Sequence, residues 1–227
     1  MSQCLVCHES IAVVSWVSTI LIKQENICYR CKRELHLIEG HVCEDCGRMG
    51  NFESRCTDCL RWGEHPYWSK YRVKNRSIYQ YNEGMKMILN QFKFRGDYEL
   101  YKAFEAEMRK VFIRDFTKID LISFIPLSDE RLYERGFNQA EVLAQLITSN
   151  AVPLLVKKEE SKQSKKNRQE RISTENPFIL LPHIHLQDNH ILLIDDIYTT
   201  GTTIRHAAQL LLQEGAKQVS SLTLIRS

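Results

Sequence analysis

No cysteine follows residue 59 in this chain of 227 residues, and no proline precedes residue 66. Nine glycines and five prolines are too few for a collagen-like or linker-type chain. Long apolar runs are also missing. Residues 11–22 carry no charge, but they span only 12 positions, too short to cross a bilayer as a helix. No membrane insertion is expected, and the stretch reads as a hairpin. No basic leader precedes it, so a signal peptide is not expected and a cytoplasmic location is. Neither charge sign dominates: 31 Lys and Arg stand against 28 Asp and Glu, a net charge of +3. The length allows one full α/β core plus a small module that could not bury enough apolar surface by itself.

The eight cysteines form four C-x-x-C pairs, Cys4/Cys7, Cys28/Cys31, Cys43/Cys46 and Cys56/Cys59, with none left over. Such a pair presents two thiolates to one side of a tetrahedral ion, and two pairs complete a Cys4 site. Two zinc ions are therefore expected. They would be structural, because four thiolates leave no open position for water. Sequential pairing gives one site from Cys4, Cys7, Cys28 and Cys31 and another from Cys43, Cys46, Cys56 and Cys59. A cross-brace would interleave the pairs. The sequential arrangement is preferred because each half then closes as its own ribbon. Disulfides would need an oxidising compartment; an iron–sulfur cluster is a further alternative. His8, His36, His41 and His65 lie near the cysteines but read as surface or packing residues.

Charge is unevenly spread. Residues 61–95 hold eight Lys and Arg against two Glu, and residues 157–171 hold seven against three. The first stretch also carries Trp62, Tyr67, Trp68, Tyr71, Tyr79, Tyr81, Phe92 and Phe94. Cations interleaved with rings suit a single-stranded nucleic acid, the cations taking phosphates and the rings stacking on bases. Candidate contacts are Lys70, Arg72, Lys74 and Arg76, with Lys93 and Arg95. The competing reading is a basic connector whose rings pack inward. The second stretch reads as a solvated, mobile loop.

The chemistry concentrates near the C-terminal end. The aliphatic run at residues 191–194 leads into Asp195-Asp196-Ile197-Tyr198-Thr199-Thr200-Gly201-Thr202-Thr203. Four aliphatics suit a strand buried on both faces of a parallel sheet. Ligands of open α/β sheets bind beyond the carboxyl ends of the strands, where the two acids would sit. Adjacent carboxylates suit the vicinal hydroxyls of a ribose. The Thr/Gly loop opens a helix, whose N-terminus favours an anion such as a 5-phosphate.

This stretch resembles the binding motif for 5-phosphoribosyl 1-diphosphate (PRPP) of type I phosphoribosyltransferases: hydrophobics, two acids, then T-T-G-x-T. The resemblance implies that Asp195 and Asp196 hold the ribose hydroxyls. Thr199, Thr200, Gly201, Thr202 and Thr203 would hold the 5-phosphate. A second constellation follows another strand end: Pro126-Leu127-Ser128, Arg131, and Glu134-Arg135-Gly136-Phe137-Asn138-Gln139-Ala140. Its two arginines suit a diphosphate, for which planar bidentate donors are well shaped. Asp195, Asp196, Arg131 and Arg135 are thus the candidate catalytic residues. Mg²⁺ is expected with PRPP, neutralising the diphosphate.

Periodicity orders the rest of the chain. Strands are expected at residues 75–81, 121–125, 191–194 and 219–225, with helices at 84–94, 98–112, from 138 and at 202–214. Alternation of strand and helix implies a parallel sheet flanked by helices. The fold class is therefore α/β, of type I phosphoribosyltransferase kind, with an N-terminal double zinc-ribbon module. The domains are residues 1–60 and 61–227.

Taken in order, the four C-x-x-C pairs, Phe92-Lys93-Phe94-Arg95-Gly96-Asp97, Pro126-Leu127 with Arg131, Arg135-Gly136-Phe137-Asn138-Gln139-Ala140 and the C-terminal motif resemble the ComF/ComFC late-competence family. That resemblance covers essentially the whole chain. It implies a cytoplasmic protein needed for DNA uptake in natural transformation and handling single-stranded DNA. It also implies a competence translocation ATPase and DNA-processing proteins as partners. Two other functions stay open: a metabolic phosphoribosyltransferase acting on a base, and a PRPP sensor without turnover.

Overall fold

The computed structural model describes residues 2–11, 26–94, 98–158, 176–182 and 184–227. Four strands form one parallel sheet: β3 (Lys74–Gln80), β4 (Leu121–Phe124), β7 (His190–Tyr198) and β8 (Gln218–Arg226). Their spatial order is β3-β8-β7-β4, so the motif-bearing β7 is internal. Two small antiparallel ribbons accompany it. One joins β1 (Ser2–Gln3) to β2 (Ser10–Ile11); the other joins β5 (Leu155–Lys157) to β6 (Phe178–Leu180). The second ribbon pairs Lys157, where the charged segment begins, with Phe178. Residues 159–175, within the connection between its strands, fall outside the described part, as do 12–25, which hold most of the hairpin expected at 11–22. Among the described residues, no helix is long and apolar enough to cross a membrane.

Each face of the sheet has its own core. Leu192, Ile194, Leu222 and Leu224 pack on one face with helices α3 (Glu83–Phe94), α4 (Glu105–Asp115) and α6 (Gln139–Gln145). Met85, Ile88, Leu89 and Phe92 supply the inner stripe of α3 at helical spacing. The Asn82 side chain caps that helix, accepting from the Met85 N–H at 2.8 Å. On the other face, Ile191, Leu193 and Val219 meet α7 (Thr202–Gln213) through Ile204, Ala207, Ala208 and Leu211. Those four recur at helical spacing along the 202–214 segment expected as a helix, and Gly215, at φ +99°, follows its end. Residues 98–112, expected as a helix, divide into a 3₁₀ segment (Tyr98–Phe104) and α4.

Strand β7 is longer than the aliphatic run suggested. It continues through both acids to Tyr198, because β8 still pairs with it there: Asp195 lies opposite Thr223 and Tyr198 opposite Arg226. On its other side, β4 ends at Phe124, opposite Ile194. Pro126 follows two residues later and has no N–H to extend the ladder. One edge of β7 is therefore open from the acids onward.

The cysteine-rich lobe straddles the outer edge of β3. Cys4, Ile27, Cys31 and Leu35 belong to the first core, whereas Cys43, Cys46, Cys56 and Cys59 belong to the second. The connecting segment runs antiparallel along β3: the Ile38 N–H donates to the Ile78 carbonyl and the Gln80 N–H to the His36 carbonyl, both at 2.9 Å. Leu37 bridges Tyr79. At the start of β3, the Asn75 N–H donates to the Asp45 carbonyl. The buried Asn75 side chain donates to the Cys46 carbonyl and Ser77 Oγ, and accepts from Ser221 Oγ at 2.8 Å. Ser77 Oγ in turn meets Thr223 Oγ1 at 2.7 Å.

Asn75→Ala would leave the Cys46 carbonyl and two buried hydroxyls short of partners. Denaturant unfolding should show a loss of about 2–4 kcal/mol for this variant. The comparison Lys70→Ala, at an exposed position, should change stability by less than about 0.5 kcal/mol.

Candidate functional site

The eight cysteines form two sets of four whose sulfurs lie within 4.8 Å of one another: Cys4, Cys7, Cys28 and Cys31, and Cys43, Cys46, Cys56 and Cys59. This is the sequential arrangement. Cys7 and Cys28 sulfurs are 3.7 Å apart and those of Cys46 and Cys56 3.6 Å. Regular tetrahedral bonds of 2.3 Å to zinc would put sulfurs about 3.8 Å apart, so the donor sets fit that ion. The two knuckles share one geometry. In each, the first cysteine's N–H is bonded five residues on, Cys4 to Glu9 and Cys43 to Arg48, and its carbonyl accepts four residues on, from His8 and Gly47. That fourth position is left-handed in both, φ 60° at His8 and 69° at Gly47. His8 thus serves the turn and not the metal. Gly47 also lies where a Cβ would press on the Asn75 carbonyl at 3.1 Å.

Backbone N–H groups support the thiolates, Cys28 donating to Cys4 Sγ and Cys56 to Cys43 Sγ, each at 3.3 Å. The Cys46 thiol is pulled down to about 4, first by its contact with Cys59, then by the Arg48 N–H and the Arg226 guanidinium. The same contact pushes Cys59 up, and burial pushes Cys56 up, so without a metal the four thiols share their protons unequally.

The acid pair lies at the open edge of β7. The Lys93 ammonium, from the last turn of α3, pairs with Asp196 Oδ2, and both side chains are largely buried. The Asp196 N–H donates to Asp195 Oδ1 at 2.9 Å. Burial, and then the neighbouring Asp196 charge, push the Asp195 carboxyl well above the usual carboxylate range. Two adjacent carboxylates in a sheltered place are unfavourable without a cation, and Lys93 supplies one. Sequence reasoning had grouped Lys93 with nucleic-acid contacts; its helical register relative to β7 was not readable from spacing.

The arginine constellation faces this pair. Helix α5 (Asp129–Arg135) starts at Ser128, whose hydroxyl caps it, and stops at left-handed Gly136. Arg135 Nη1 donates to Gln139 Oε1 at 2.9 Å, and Gln139 Nε2 reaches the Phe92 carbonyl at 3.5 Å. Burial lowers the Arg135 guanidinium, and Asp196 is the strongest charge opposing that shift. Arg131 is exposed on the preceding turn. The structure therefore gathers Asp195, Asp196, Lys93 and Arg135, tied through Gln139 to the end of α3.

Next along the chain is the Thr/Gly loop. Thr200 Oγ1 and Thr202 Oγ1 are 2.8 Å apart, and Thr199, Thr200 and Thr203 are exposed. Gly201 precedes α7 at φ +79°, and a Cβ there would strike the Tyr198 ring. The first turn of α7 leaves backbone N–H groups free of helical partners, as an anion site requires.

The basic lead-in is committed elsewhere in part. Arg72 Nη2 donates to Asp45 Oδ1 at 3.1 Å, and Arg76 Nη1 donates to the Glu44 carbonyl at 3.0 Å. Both residues thus tie the second knuckle to β3. Lys74 Nζ donates to the Asp115 carbonyl at 3.4 Å, and Lys70 is exposed. Lys74 pairs with Ser220 and Asp195 with Thr223, so Lys74 lies toward the amino end of the sheet, away from the acids. Arg95 lies outside the described residues. Of the rings, Trp68, Tyr79 and Phe92 are buried. Trp68 stacks edge-on to His206 of α7 at 4.8 Å, and Tyr71 Oη accepts from Gln213 Nε2 at 3.0 Å.

Metal content checks the donor sets. The purified protein should carry two zinc ions per chain by elemental analysis. Cys43→Ser should lose one and lower the thermal midpoint; a single ion in the unaltered protein would contradict the assignment.

The phosphoribosyl transferase domain family matches residues 133–227, from within α5 to the end of β8. Over the full length, the chain is 41% identical to "Competence protein ComFC" of Bacillus subtilis, covering 99% of this chain and 95% of that one. It is 34% identical to "Competence protein ComFC" of Streptococcus pneumoniae, covering 99% and 100%. It is 26% identical to "DNA utilization protein YhgH" of Escherichia coli K12, covering 99% and 96%.

Proposed function

The chain belongs to the ComFC family of competence proteins, and we propose that it binds PRPP at the end of β7 and acts in the cytoplasm on single-stranded DNA during natural transformation. The observation that carries the sugar site is the pairing of Asp196 with Lys93 beside Asp195, directly before the loop that opens α7. Both carboxylates would accept from the ribose 2- and 3-hydroxyls. Thr199 to Thr203 and the free N–H groups of α7 would hold the 5-phosphate. Arg135 and Arg131 would take the diphosphate, a planar guanidinium matching two phosphate oxygens. Mg²⁺, when bound, supplies charge neutralisation for that diphosphate. As diphosphate leaves, positive charge builds on the ribose, and the acid pair, held in place by Lys93, would stabilise it.

Family membership supports the DNA-uptake role, with a translocation ATPase and DNA-processing proteins as partners. Lys70 and Lys74 are the lead-in cations best placed for DNA, because Arg72 and Arg76 hold the lobe to β3.

Calorimetry should show Mg²⁺-dependent PRPP binding. Asp195→Ala with Asp196→Ala should weaken it by roughly 100-fold or more, two charge-assisted contacts being worth about 1.5–3 kcal/mol each. Unchanged affinity in a folded double variant would remove this reading. Diphosphate release, assayed with and without single-stranded DNA, separates a transferase from a sensor.

DNA affinity should fall with salt, with a logarithmic slope of about −1.4 from the two phosphate contacts of Lys70 and Lys74 on a single strand. Lys70→Glu with Lys74→Glu should weaken binding broadly across sequences while leaving PRPP affinity intact. Indifference to salt and to both substitutions would make the lead-in a connector alone.

A further inference from the structure

Trp62 reaches from the cysteine lobe into the phosphate loop. Helix α2 (Thr57–Glu64) starts at the Cys56 knuckle and carries Cys59 in its first turn and Trp62 one turn later. The place of Trp62 is therefore fixed by the second Cys4 site. Its indole N–H donates to the Thr200 carbonyl at 3.2 Å. The Arg205 guanidinium lies over its ring, 4.6 Å from the centroid, and Trp68 meets it edge-on. Arg205 belongs to the first turns of α7, and its backbone N–H donates to the Gly201 carbonyl at 2.9 Å. The indole thus holds the loop on one side by a hydrogen bond and the helix behind it by a cation–π contact.

A second route leads from the same cysteine site. Arg226 Nη2 donates to Cys46 Sγ at 3.8 Å, and Nη1 donates to the Tyr198 carbonyl at 3.2 Å. The same guanidinium lies over the Tyr198 ring. That ring sits against Gly201, where a Cβ would collide with it. Both routes end on the Thr200–Gly201 turn. The first Cys4 site lies across the sheet and meets α3 instead, with Asn82 Nδ2 donating to the Glu34 carbonyl and Gln91 Nε2 reaching the Val6 carbonyl.

We propose that Trp62 is a positioning residue for the phosphate loop, through which metal occupancy of the second Cys4 site is coupled to PRPP binding more strongly than that of the first. The proposal rests on the PRPP reading above. Coupling between two binding equilibria is reciprocal. A metal-bound second site orders the loop for the 5-phosphate, and bound PRPP in turn protects that metal site from opening.

Alkylation by N-ethylmaleimide, read by mass spectrometry on the two-zinc protein, reports on each site separately, because only released thiolates react. PRPP with Mg²⁺ should slow modification of Cys43, Cys46, Cys56 and Cys59 several-fold more than that of Cys4, Cys7, Cys28 and Cys31. Trp62→Phe keeps the ring and loses the N–H. It should retain both zinc ions, bind PRPP about 3- to 10-fold more weakly, as loss of one hydrogen bond implies, and show weaker selective protection, the Arg226 route remaining. Equal protection of both sites by bound PRPP, or protection undiminished in Trp62→Phe, overturns the coupling. Failure of the unaltered protein to bind PRPP would instead overturn the functional reading. The role of Trp62 is then decided by amide exchange across residues 201–207. Trp62→Phe should accelerate it several-fold without affecting α6, and unchanged exchange sinks the role.

Discussion

Main-chain hydrogen bonds along the outer side of β3 join Ile38 to Ile78, Gln80 to His36 and Asn75 to Asp45. An uncovered edge strand exposes a row of unpaired N–H and carbonyl groups and invites pairing with other chains. Here the cysteine-rich lobe is that cover. Its middle segment lies along the edge, and its two Cys4 sites fall on opposite faces of the sheet, each within one of the two cores. A lobe this short could not bury enough apolar surface to hold its own shape. Its eight cysteines gather into two Cys4 sets fit to hold metal, and the second set's first knuckle presents Asp45, Cys46 and Gly47 to β3. The buried Asn75, Ser77, Ser221 and Thr223 set carries that constraint inward to β8, the neighbour of the motif-bearing strand.

At the other end of the sheet, the governing constraint is charge. Two carboxylates in succession, one of them pushed well above its ordinary range by burial and its neighbour, need a cation close by. Lys93 meets that need from α3, and Arg135 adds positive charge from α5. The early end of β4 gives these groups room. Had β4 continued past Phe124, its backbone would occupy the edge of β7 on which the acids open.

The aromatic stretch links the two ends. Trp62, Tyr67, Trp68 and Tyr71 form a chain of ring contacts, and it meets α7 through Arg205, His206 and Gln213. The residues that looked most suited to stacking on bases are thereby shared with the structure itself. An aromatic face that packs on a helix beside an anion loop gives that loop a fixed position, the requirement of a preorganised site.

Much was legible in the residues alone. The cysteine spacing gave the four knuckles and favoured their sequential pairing, since a C-x-x-C knuckle is a local structure, but which knuckles share a site was decided by the fold. The acid pair, the Thr/Gly loop and the inner stripe of α7 were legible because each lies within one strand, one turn or one helical period. Even the full extent of β7 was not, because strand length past Ile194 depends on β8 continuing and β4 stopping. The partners of the chemical groups were decided only by tertiary structure. Lys93 reaches Asp196 across 103 positions of sequence, Trp62 reaches Thr200 across 138 and Arg226 reaches Cys46 across 180. Periodicity says which side of a helix faces inward but not which strand end it will face. The basic lead-in shows the same division: its charge and rings were plain in the sequence, while the use of Arg72 and Arg76 as ties to the second knuckle depended on where the edge of β3 came to lie.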